Sequence, residues 1–169
     1  MAGIPKVDPT RELGPLERVQ RRVLLTKLGT WLAMKVSTRL DPLLLRATRG
    51  HLSTGIAFPI VLMTVVGRKS GEPRTVPLVY FTEGDDVILI VSSFGRPKHP
   101  AWYLNLKANP EVELLGGGAR RPYRAREVEG PDRDRLFGLA EQLYRGYGLY
   151  AERAGDREIP VLSLSSVGA

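Results

Sequence analysis

A chain of 169 residues, 43% hydrophobic and 25% charged, has the length and composition of a single globular domain. It contains no cysteine, which excludes disulfides, thiolate-bound iron–sulfur clusters, cysteine nucleophiles and thiolate zinc sites. The longest apolar run, residues 56–66, is too short to span a bilayer, and the amino terminus does not resemble a signal peptide. We therefore expect a cytoplasmic protein in which any redox chemistry requires a bound electron carrier.

The net charge of +7 lies almost entirely in the first third of the chain. Residues 1–58 hold ten Lys and Arg against four Asp and Glu, whereas residues 59–169 hold fifteen against fourteen. Such a segment favours an anionic partner, although a solvated basic face without any partner has the same composition. The charge follows an amphipathic pattern without a recognisable nucleic-acid-binding module, so we do not expect nucleic acid as the partner.

The amino-terminal third divides into two parts. Residues 1–14 are polar, contain two prolines and predict a flexible lead. Residues 15–58 predict a basic amphipathic helical segment, because apolar residues recur at spacings of three and four along residues 15–40. The apolar face of this helix either packs on its own domain or lies against an anionic membrane surface at the inner face of the membrane.

From residue 59 onward the pattern changes to short strands. We predict strands over residues 59–66, 74–82, 87–93, 111–115, 120–128 and 159–165, because β-branched and apolar runs alternate with Gly, Pro and Asp turns. Pro100 opens a helix over residues 101–108, and Pro131 opens a second amphipathic helix. Residues 59–169 thus predict an α+β fold, a split or closed β-barrel of about six mainly antiparallel strands with inserted helices.

The turn between the first two predicted strands carries a cluster of cations. It presents Arg68, Lys69 and Ser70 beside Gly71, and Arg74 follows at the start of the next strand. Guanidinium and ammonium groups next to free backbone amides suit a phosphate or a group of carboxylates. The glycine order of a nucleotide-binding phosphate loop is missing, and an ordinary solvated hairpin turn remains the alternative.

A second cluster spans residues 92–103, where a strand, a glycine-containing loop and a helix start follow one another. Ser92 and Ser93 end the predicted strand, and Trp102 and Tyr103 lie in the first turn of the helix. Backbone amides and an apolar wall in this order could hold a flat anionic ring. Trp102 could equally be a core residue, since tryptophan is usually largely buried.

Three tyrosines, Tyr144, Tyr147 and Tyr150, form a third cluster at the end of the second amphipathic helix. A spacing of three places their hydroxyls along one wall of a pocket if the helix continues through them. Half-buried tyrosines with solvated hydroxyls are the alternative. The two histidines lie far apart, and no motif with metal-ligand spacing is present, so we expect no metal site.

These motifs resemble a known family. The segments GRKSGEPRTVPL and HPAWYLNLKANP, at this separation, are similar to those of the deazaflavin-dependent nitroreductases and quinone reductases, and the similarity extends from LLLRATRGHL to DREIPVLSLS. The resemblance implies a flavin-reductase-like split barrel that uses coenzyme F420. It further implies hydride transfer from the reduced deazaflavin to quinones, nitroaromatics or activated enones.

The resemblance also implies roles for individual residues. The tail phosphate and oligoglutamate of F420 would be held by Arg68, Lys69 and Arg74, with help from Ser70 and Gly71. Ser93, Tyr144, Tyr147 and Tyr150 would face the acceptor as pocket residues or hydrogen-bond donors. Where some members carry a lysine this chain has Phe94, and Arg96 or Lys98 could supply the missing charge. The deazaflavin ring would contact Met63, Thr64, Val91, Ser92, Ser93, Phe94, Ala101, Trp102 and Tyr103.

Two other functions fit the same barrel. One is a carrier without enzymatic activity that binds F420 or a lipid-like ligand, and the other is an FMN-dependent reductase, because one fold hosts several functions. The sequence leaves open the physiological acceptor and whether the protein is a monomer or a homodimer.

Overall fold

The computed structural model describes residues 3–12, 14–15, 17–19, 26, 40–48 and 58–168 of the chain. Its strands are β1 (Ile60–Val66), β2 (Pro73–Glu83), β3 (Asp86–Ile90), β4 (Glu111–Gly116), β5 (Ala119–Val128) and β6 (Val161–Ser166). Its helices are α1 (Ala101–Ala108), α2 (Gly130–Leu143) and α3 (Gly146–Ala154), with a single 3₁₀ turn at Ser93–Gly95 and further helical residues at 15, 17–19 and 40–47.

The six strands form a closed barrel in the order β1-β2-β3-β6-β5-β4, and every neighbouring pair is antiparallel. Short turns at Gly84 and Gly117 join neighbouring strands, and both glycines have the positive φ that such tight turns favour. Closure leaves no unpaired edge strand among these six. The predicted α+β fold with a barrel of six antiparallel strands is therefore confirmed.

Side chains alternate between the two faces of each strand, so the buried residues form one cluster inside the barrel and others on its outer face. Val61 and Val65 belong to a buried cluster inside the barrel, which Tyr103 and Leu106 of α1 close at one end. The second cluster lies between the outer face of the barrel and helices α2 and α3, where Phe81 contributes to it from β2. A third, smaller cluster comprises Leu45, Leu62 and Leu115, and it attaches helical residues 40–47 to β1 and β4.

Two predicted strands extend two or more residues beyond the observed ones. The third strand, expected to reach Ser93, ends at Ile90, and the last strand begins at Val161 rather than at Ile159. The strand does not continue to Ser93 because Ser92 already has helical backbone angles, φ −68° and ψ −35°, and Ser93 and Phe94 adopt positive φ. The helix predicted over residues 101–108 has the observed bounds.

Residues 4–7 of the predicted flexible lead contact the barrel. Ile4 is buried in the interior cluster, and Val7 exchanges hydrogen bonds with Thr82 at 2.9 and 3.0 Å. The hydroxyl of Tyr80 also donates to the carbonyl of Pro5 at 3.1 Å. Two apolar side chains in an otherwise polar lead gain enough from burial to dock there.

Most of the predicted amphipathic helix over residues 15–40 lies outside the described residues. Residues 15 and 17–19 are helical, and the amide of Arg18 donates to the carbonyl of Gly14 at 3.0 Å. In the described part of the chain, none of the helices combines the length and the apolar character needed to cross a membrane.

Candidate functional site

The turn between β1 and β2 is a closed loop that holds its cations outward. The amide of Gly71 donates to the carbonyl of Gly67, and the amide of Gly67 donates to the carbonyl of Glu72, both at 2.8 Å. Gly71 has φ of 70°, which favours glycine at this position. A side chain at Gly67 would lie 2.8 Å from the Ser70 hydroxyl, so this tight loop also requires glycine there.

Helix α1 packs beside this turn and forms a groove with it. The side-chain oxygen of Asn105 accepts a hydrogen bond from the amide of Arg68 at 3.2 Å, which fixes the turn to the helix. The groove encloses about 320 Å³ and is lined by Gly67, Arg68, Lys69, Ser70, Arg74, Ala101, Leu104 and Asn105. We call it the basic groove. Five of the residues predicted to bind the cofactor therefore line this groove, namely Arg68, Lys69, Ser70, Arg74 and Ala101. Asn105 also lines it, although the sequence analysis did not name it as a site residue.

The charges of the basic groove are available to a ligand. Arg68, Lys69 and Arg74 are all exposed, and none of them forms an ion pair within the described residues. Three like charges side by side repel one another, and an anion relieves that repulsion. Two guanidinium groups and one ammonium thus give the groove the donor set for phosphate and carboxylate groups.

The loop at residues 92–96 has an unusual backbone. Ser93 and Phe94 have φ of 49° and 56°, the only positive values among the described non-glycine residues, and Gly95 follows with 74°. Left-handed conformations at two residues with side chains persist only where the surroundings hold them, and they concentrate at functional sites. The amides of Gly95 and Arg96 donate to the carbonyls of Ser92 and Ser93 at 3.0 and 3.1 Å.

The three tyrosines do not share one helix, which corrects the expected regular spacing. Helix α2 ends at Leu143, Tyr144 has an extended backbone with φ of −153°, and α3 begins at Gly146. The glycine is needed because an added Cβ would lie 2.1 Å from the Tyr144 ring. The break lets that ring fold back over the start of α3.

Despite the break, the tyrosines form one compact group, which we call the tyrosine cluster. Their rings meet edge to face with centroids 5.7 to 6.3 Å apart, and the hydroxyls of Tyr144 and Tyr150 lie 3.4 Å from each other. All three residues are more than nine-tenths buried. The alternative of half-buried tyrosines with solvated hydroxyls therefore does not apply, and the rings belong to the outer core.

Burial sets the protonation of the cluster. It raises the pKa of Tyr144 well above the usual value, and the hydrogen bond with Tyr150 raises it further. It also raises the pKa of Tyr147, with a smaller contribution from Tyr150. Both hydroxyls consequently remain protonated at neutral pH and can act as hydrogen-bond donors.

The left-handed loop and the tyrosine cluster are in contact. The Phe94 ring meets the Tyr150 ring edge to face at 5.8 Å, and a side chain at Gly95 would lie 2.9 Å from the Tyr150 carbonyl. Phe58 covers the cluster from the other side, with its ring centroid 5.0 Å from that of Tyr144. The structure thus joins Phe94, and with it the loop of Ser93, to the predicted acceptor-facing residues.

Several residues that are predicted to contact the deazaflavin ring do not line the basic groove. Met63 and Val91 are fully buried in the barrel interior, and Thr64 lies on the outer face, where its hydroxyl is 3.1 Å from that of Thr75. Consecutive strand residues point to opposite faces, so the side chains of Met63 and Thr64 lie on opposite faces of β1, and their joint contact with the deazaflavin ring stays a prediction. Trp102 is half-buried against the interior cluster, which supports its interpretation as a core residue.

Tyr103 points to the opposite side of α1 from Ala101. It lines a second groove of about 560 Å³, where its hydroxyl donates to Glu127 at 2.9 Å. Arg133 and Arg157 also line this groove, but Arg133 donates to the Ile159 carbonyl and Arg157 donates to three carbonyls. Although this groove is the larger one, its guanidinium groups are already engaged, and the basic groove is the better site for an anionic ligand.

Arg157 is a second residue that the motifs did not single out. Its guanidinium lies behind the left-handed loop and 3.5 Å from the imidazole of His99. Burial lowers the pKa of His99, and the charge of Arg157 lowers it further. Arg157 lies in the segment DREIPVLSLS that resembles the family, but its role cannot be predicted from that segment alone, since its hydrogen-bond partners lie about sixty residues earlier.

A closed six-stranded barrel with a cation-lined groove beside its capping helix, in a chain without cysteine, defines a split-barrel protein suited to an external anionic redox cofactor. Residues 37–166 match the family model described as F420H(2)-dependent quinone reductase. The chain belongs to this family, and it is an oxidoreductase that uses reduced F420.

Similar proteins agree with this assignment. The F420H(2)-dependent quinone reductase Rv1261c of Mycobacterium tuberculosis is 36% identical over 146 residues, which cover 82% of this chain and 97% of that protein. A solved F420-H2 dependent reductase is 42% identical with a TM-score of 0.59, covering 63% of this chain and 94% of the other. A domain-swapped dimer is 37% identical with a TM-score of 0.60, covering 75% and 96%. The predicted family, reaction class and cofactor are thereby confirmed.

Proposed function

We propose that the basic groove binds the anionic tail of reduced F420, and that the left-handed loop and the tyrosine cluster shape the acceptor site. The acceptors are quinones, together with nitroaromatics and activated enones. The observation that carries the proposal is the set of three cations, Arg68, Lys69 and Arg74, which line one groove without ion pairs in the described chain.

The residues of the groove fit this cofactor by their chemistry. Two guanidinium groups and one ammonium can pair with phosphate and carboxylate oxygens, and Asn105 holds the backbone of Arg68 in place for that contact. When it is bound, reduced F420 supplies the hydride. The chain itself contributes binding, orientation and the exclusion of water.

The acceptor site needs hydrogen-bond donors rather than bases. A quinone oxygen becomes negative as it accepts a hydride, and a hydroxyl donor stabilises that charge. Ser93, Tyr144, Tyr147 and Tyr150 are the candidates, and the raised pKa values of Tyr144 and Tyr147 keep their hydroxyls protonated. Because these tyrosines are buried, an acceptor reaches their hydroxyls only if neighbouring side chains move aside.

A fluorescence titration with F420 tests the role of the basic groove. Arg74→Ala should weaken F420 binding roughly tenfold, the factor that corresponds to about 1.4 kcal/mol for one lost charged contact. Arg124→Ala is the matched control, since Arg124 is exposed on β5 and does not line the groove. Equal weakening by both variants would indicate only a general loss of positive charge and would contradict the assignment.

The two alternatives give different results in the same experiments. An FMN-dependent reductase would bind FMN at least as tightly as F420, whereas a groove built for a longer anionic tail favours F420. A carrier would bind reduced F420 but leave its oxidation by a quinone unaccelerated. Both measurements use the wild-type chain, so neither depends on the folding of a variant.

Membrane contact through residues 15–40 is a separate proposal, motivated by a net charge of +5 in that segment. Each basic residue near an anionic surface contributes about 1 kcal/mol of binding free energy. In co-sedimentation with vesicles of anionic phospholipid, the full chain should pellet with the vesicles. A full-length variant in which the six Lys and Arg of residues 15–40 are replaced by Gln should stay in the supernatant, and it keeps the core residue Ile4 that a truncation would remove. If both stay in solution, peripheral localisation at the cytoplasmic face of the membrane is wrong.

Ultracentrifugation of the purified chain distinguishes a monomer from a homodimer.

A further inference from the structure

The left-handed loop at residues 92–96 needs an anchor outside its own backbone. Its two internal hydrogen bonds join the amides of Gly95 and Arg96 to carbonyls three residues earlier. Those bonds set the turn but do not fix its position on the barrel. Since Ser93 and Phe94 hold positive φ at a cost in free energy, neighbouring groups must supply the compensation.

The side chain of Arg157 provides contacts on both flanks of this loop. Its Nη1 donates to the carbonyl of Val91 at 3.2 Å, and its Nη2 donates to the carbonyl of Ser92 at 2.8 Å. Its Nε donates to the carbonyl of Arg96 at 2.9 Å, beyond the left-handed residues. One planar guanidinium therefore bridges the two ends of the loop, a geometry that the single ammonium of a lysine cannot reproduce.

Other groups complete the surroundings of the loop. Gly95 packs against Arg153 and the backbone of Tyr150 in α3, and the Phe94 ring contacts the Tyr150 ring. His99 is the titratable group next to the guanidinium, at 3.5 Å. The loop thus contacts both Arg157 and the tyrosine cluster. In the described chain, the hydrogen bonds of Arg157 do not reach the groove-lining residues of the β1–β2 turn.

We propose that Arg157 is a positioning residue that fixes the loop at residues 92–96, and thereby Ser93, against the tyrosine cluster in the acceptor site. This inference rests on the proposed function of that site. Arg157 acts through the backbone of the loop and contacts neither the acceptor nor the tail of F420. Its loss should consequently reduce kcat/KM for the acceptor by a larger factor than it reduces F420 affinity, because the basic groove still holds the tail and the loop is predicted to contact only the deazaflavin ring.

The test compares Arg157→Lys and Arg157→Gln with the control Arg133→Lys. Arg133 is a suitable control because its guanidinium also donates to a backbone carbonyl, that of Ile159 at 2.8 Å, without touching the loop. Hydrogen–deuterium exchange of the amides at residues 92–98, in protein without cofactor, reports the anchoring directly. Steady-state kinetics with a quinone and fluorescence titration with F420 separate the two halves of the site.

In both Arg157 variants the amide hydrogens of the loop should exchange faster than in the wild type. Their kcat/KM for the quinone should fall about ten- to a hundredfold, as expected for a misplaced reacting group. F420 affinity should fall by a smaller factor than kcat/KM, and Arg133→Lys should change neither the exchange nor the kinetics. Wild-type exchange and kinetics in Arg157→Lys and Arg157→Gln would overturn the inference. An equal loss of F420 affinity would overturn it too, whereas a wild-type protein without quinone reductase activity would instead contradict the proposed function.

Discussion

Replacing Gly146 by alanine tests the packing of the tyrosine cluster. The added methyl group would lie 2.1 Å from Cε1 and 2.2 Å from Cζ of Tyr144, far inside van der Waals contact. The backbone of Gly146 has negative φ, so alanine can adopt it, and the clash must be relieved by moving the ring. Both atoms belong to an aromatic ring in the buried cluster, which has little room to move.

The magnitude follows from two opposing contributions. Overpacking of this kind costs about 1–3 kcal/mol, and replacing glycine by alanine within a helix returns roughly 0.5–1 kcal/mol. Because Gly146 is the first residue of α3, the gain lies at the lower end of this range, and we expect Gly146→Ala to lower the free energy of unfolding by about 0.5–2.5 kcal/mol. At this chain length that corresponds to a fall in Tm of roughly 2–8 °C, which thermal unfolding followed by circular dichroism measures.

Gly148→Ala is the matched control, two residues further along α3. Its added methyl group would meet only the carboxylate end of Glu141, at 2.5 Å, which a rotation of that flexible side chain relieves. We expect a Tm at or above the wild-type value for this variant. In a Tyr144→Ala background the cost of Gly146→Ala should also disappear, because the ring that causes it is gone. A Tm of Gly146→Ala equal to or above the wild-type value would refute the packing described here.

Three further predictions concern the cluster, the pH dependence of stability and the amino terminus. Of the variants Tyr144→Phe, Tyr147→Phe and Tyr150→Phe, at least one should lose about 10²–10³ in kcat while binding F420 normally, and three wild-type rates in a quinone assay would show that the hydroxyls are structural. Because burial raises the pKa of Tyr80 to about 12, above that of an unfolded tyrosine, stability should fall as the pH rises from about 10; urea unfolding should show a shallower fall for Tyr80→Phe. Ile4→Ala should lower the free energy of unfolding by about 1–3 kcal/mol. An unchanged urea midpoint would indicate that residues 1–14 form a flexible lead that does not stabilise the barrel.

The sequence is most informative where local chemistry decides the structure. Pro100 before α1 and the Asn109-Pro110 pair after it define that helix, and its observed bounds agree with the prediction. Alternating apolar residues and glycine turns likewise locate the six strands of the barrel. The cations of the basic groove can be predicted from the sequence because Arg68 and Arg74 flank a single tight turn.

The remaining features depend on contacts between distant residues. No local rule predicts positive φ at Ser93 and Phe94, since the conformation is held by Arg157 and α3 rather than by its own residue types. The break after Leu143 lets the Tyr144 ring lie over Gly146, and helical periodicity does not predict this break. The hydrogen bond from Arg68 to Asn105 joins two motifs that the sequence shows only as separate segments.

The most direct test of the central claim is an anaerobic reaction of the purified chain with reduced F420 and the quinone menadione. The deazaflavin absorbance reports the oxidation of the cofactor, and the quinol formed is measured in the same sample. We predict rapid oxidation with one quinol formed for each reduced F420 consumed, and a rate that falls in Arg74→Ala at limiting F420 but not in Arg124→Ala. Oxidation no faster than in a mixture without protein would contradict the account.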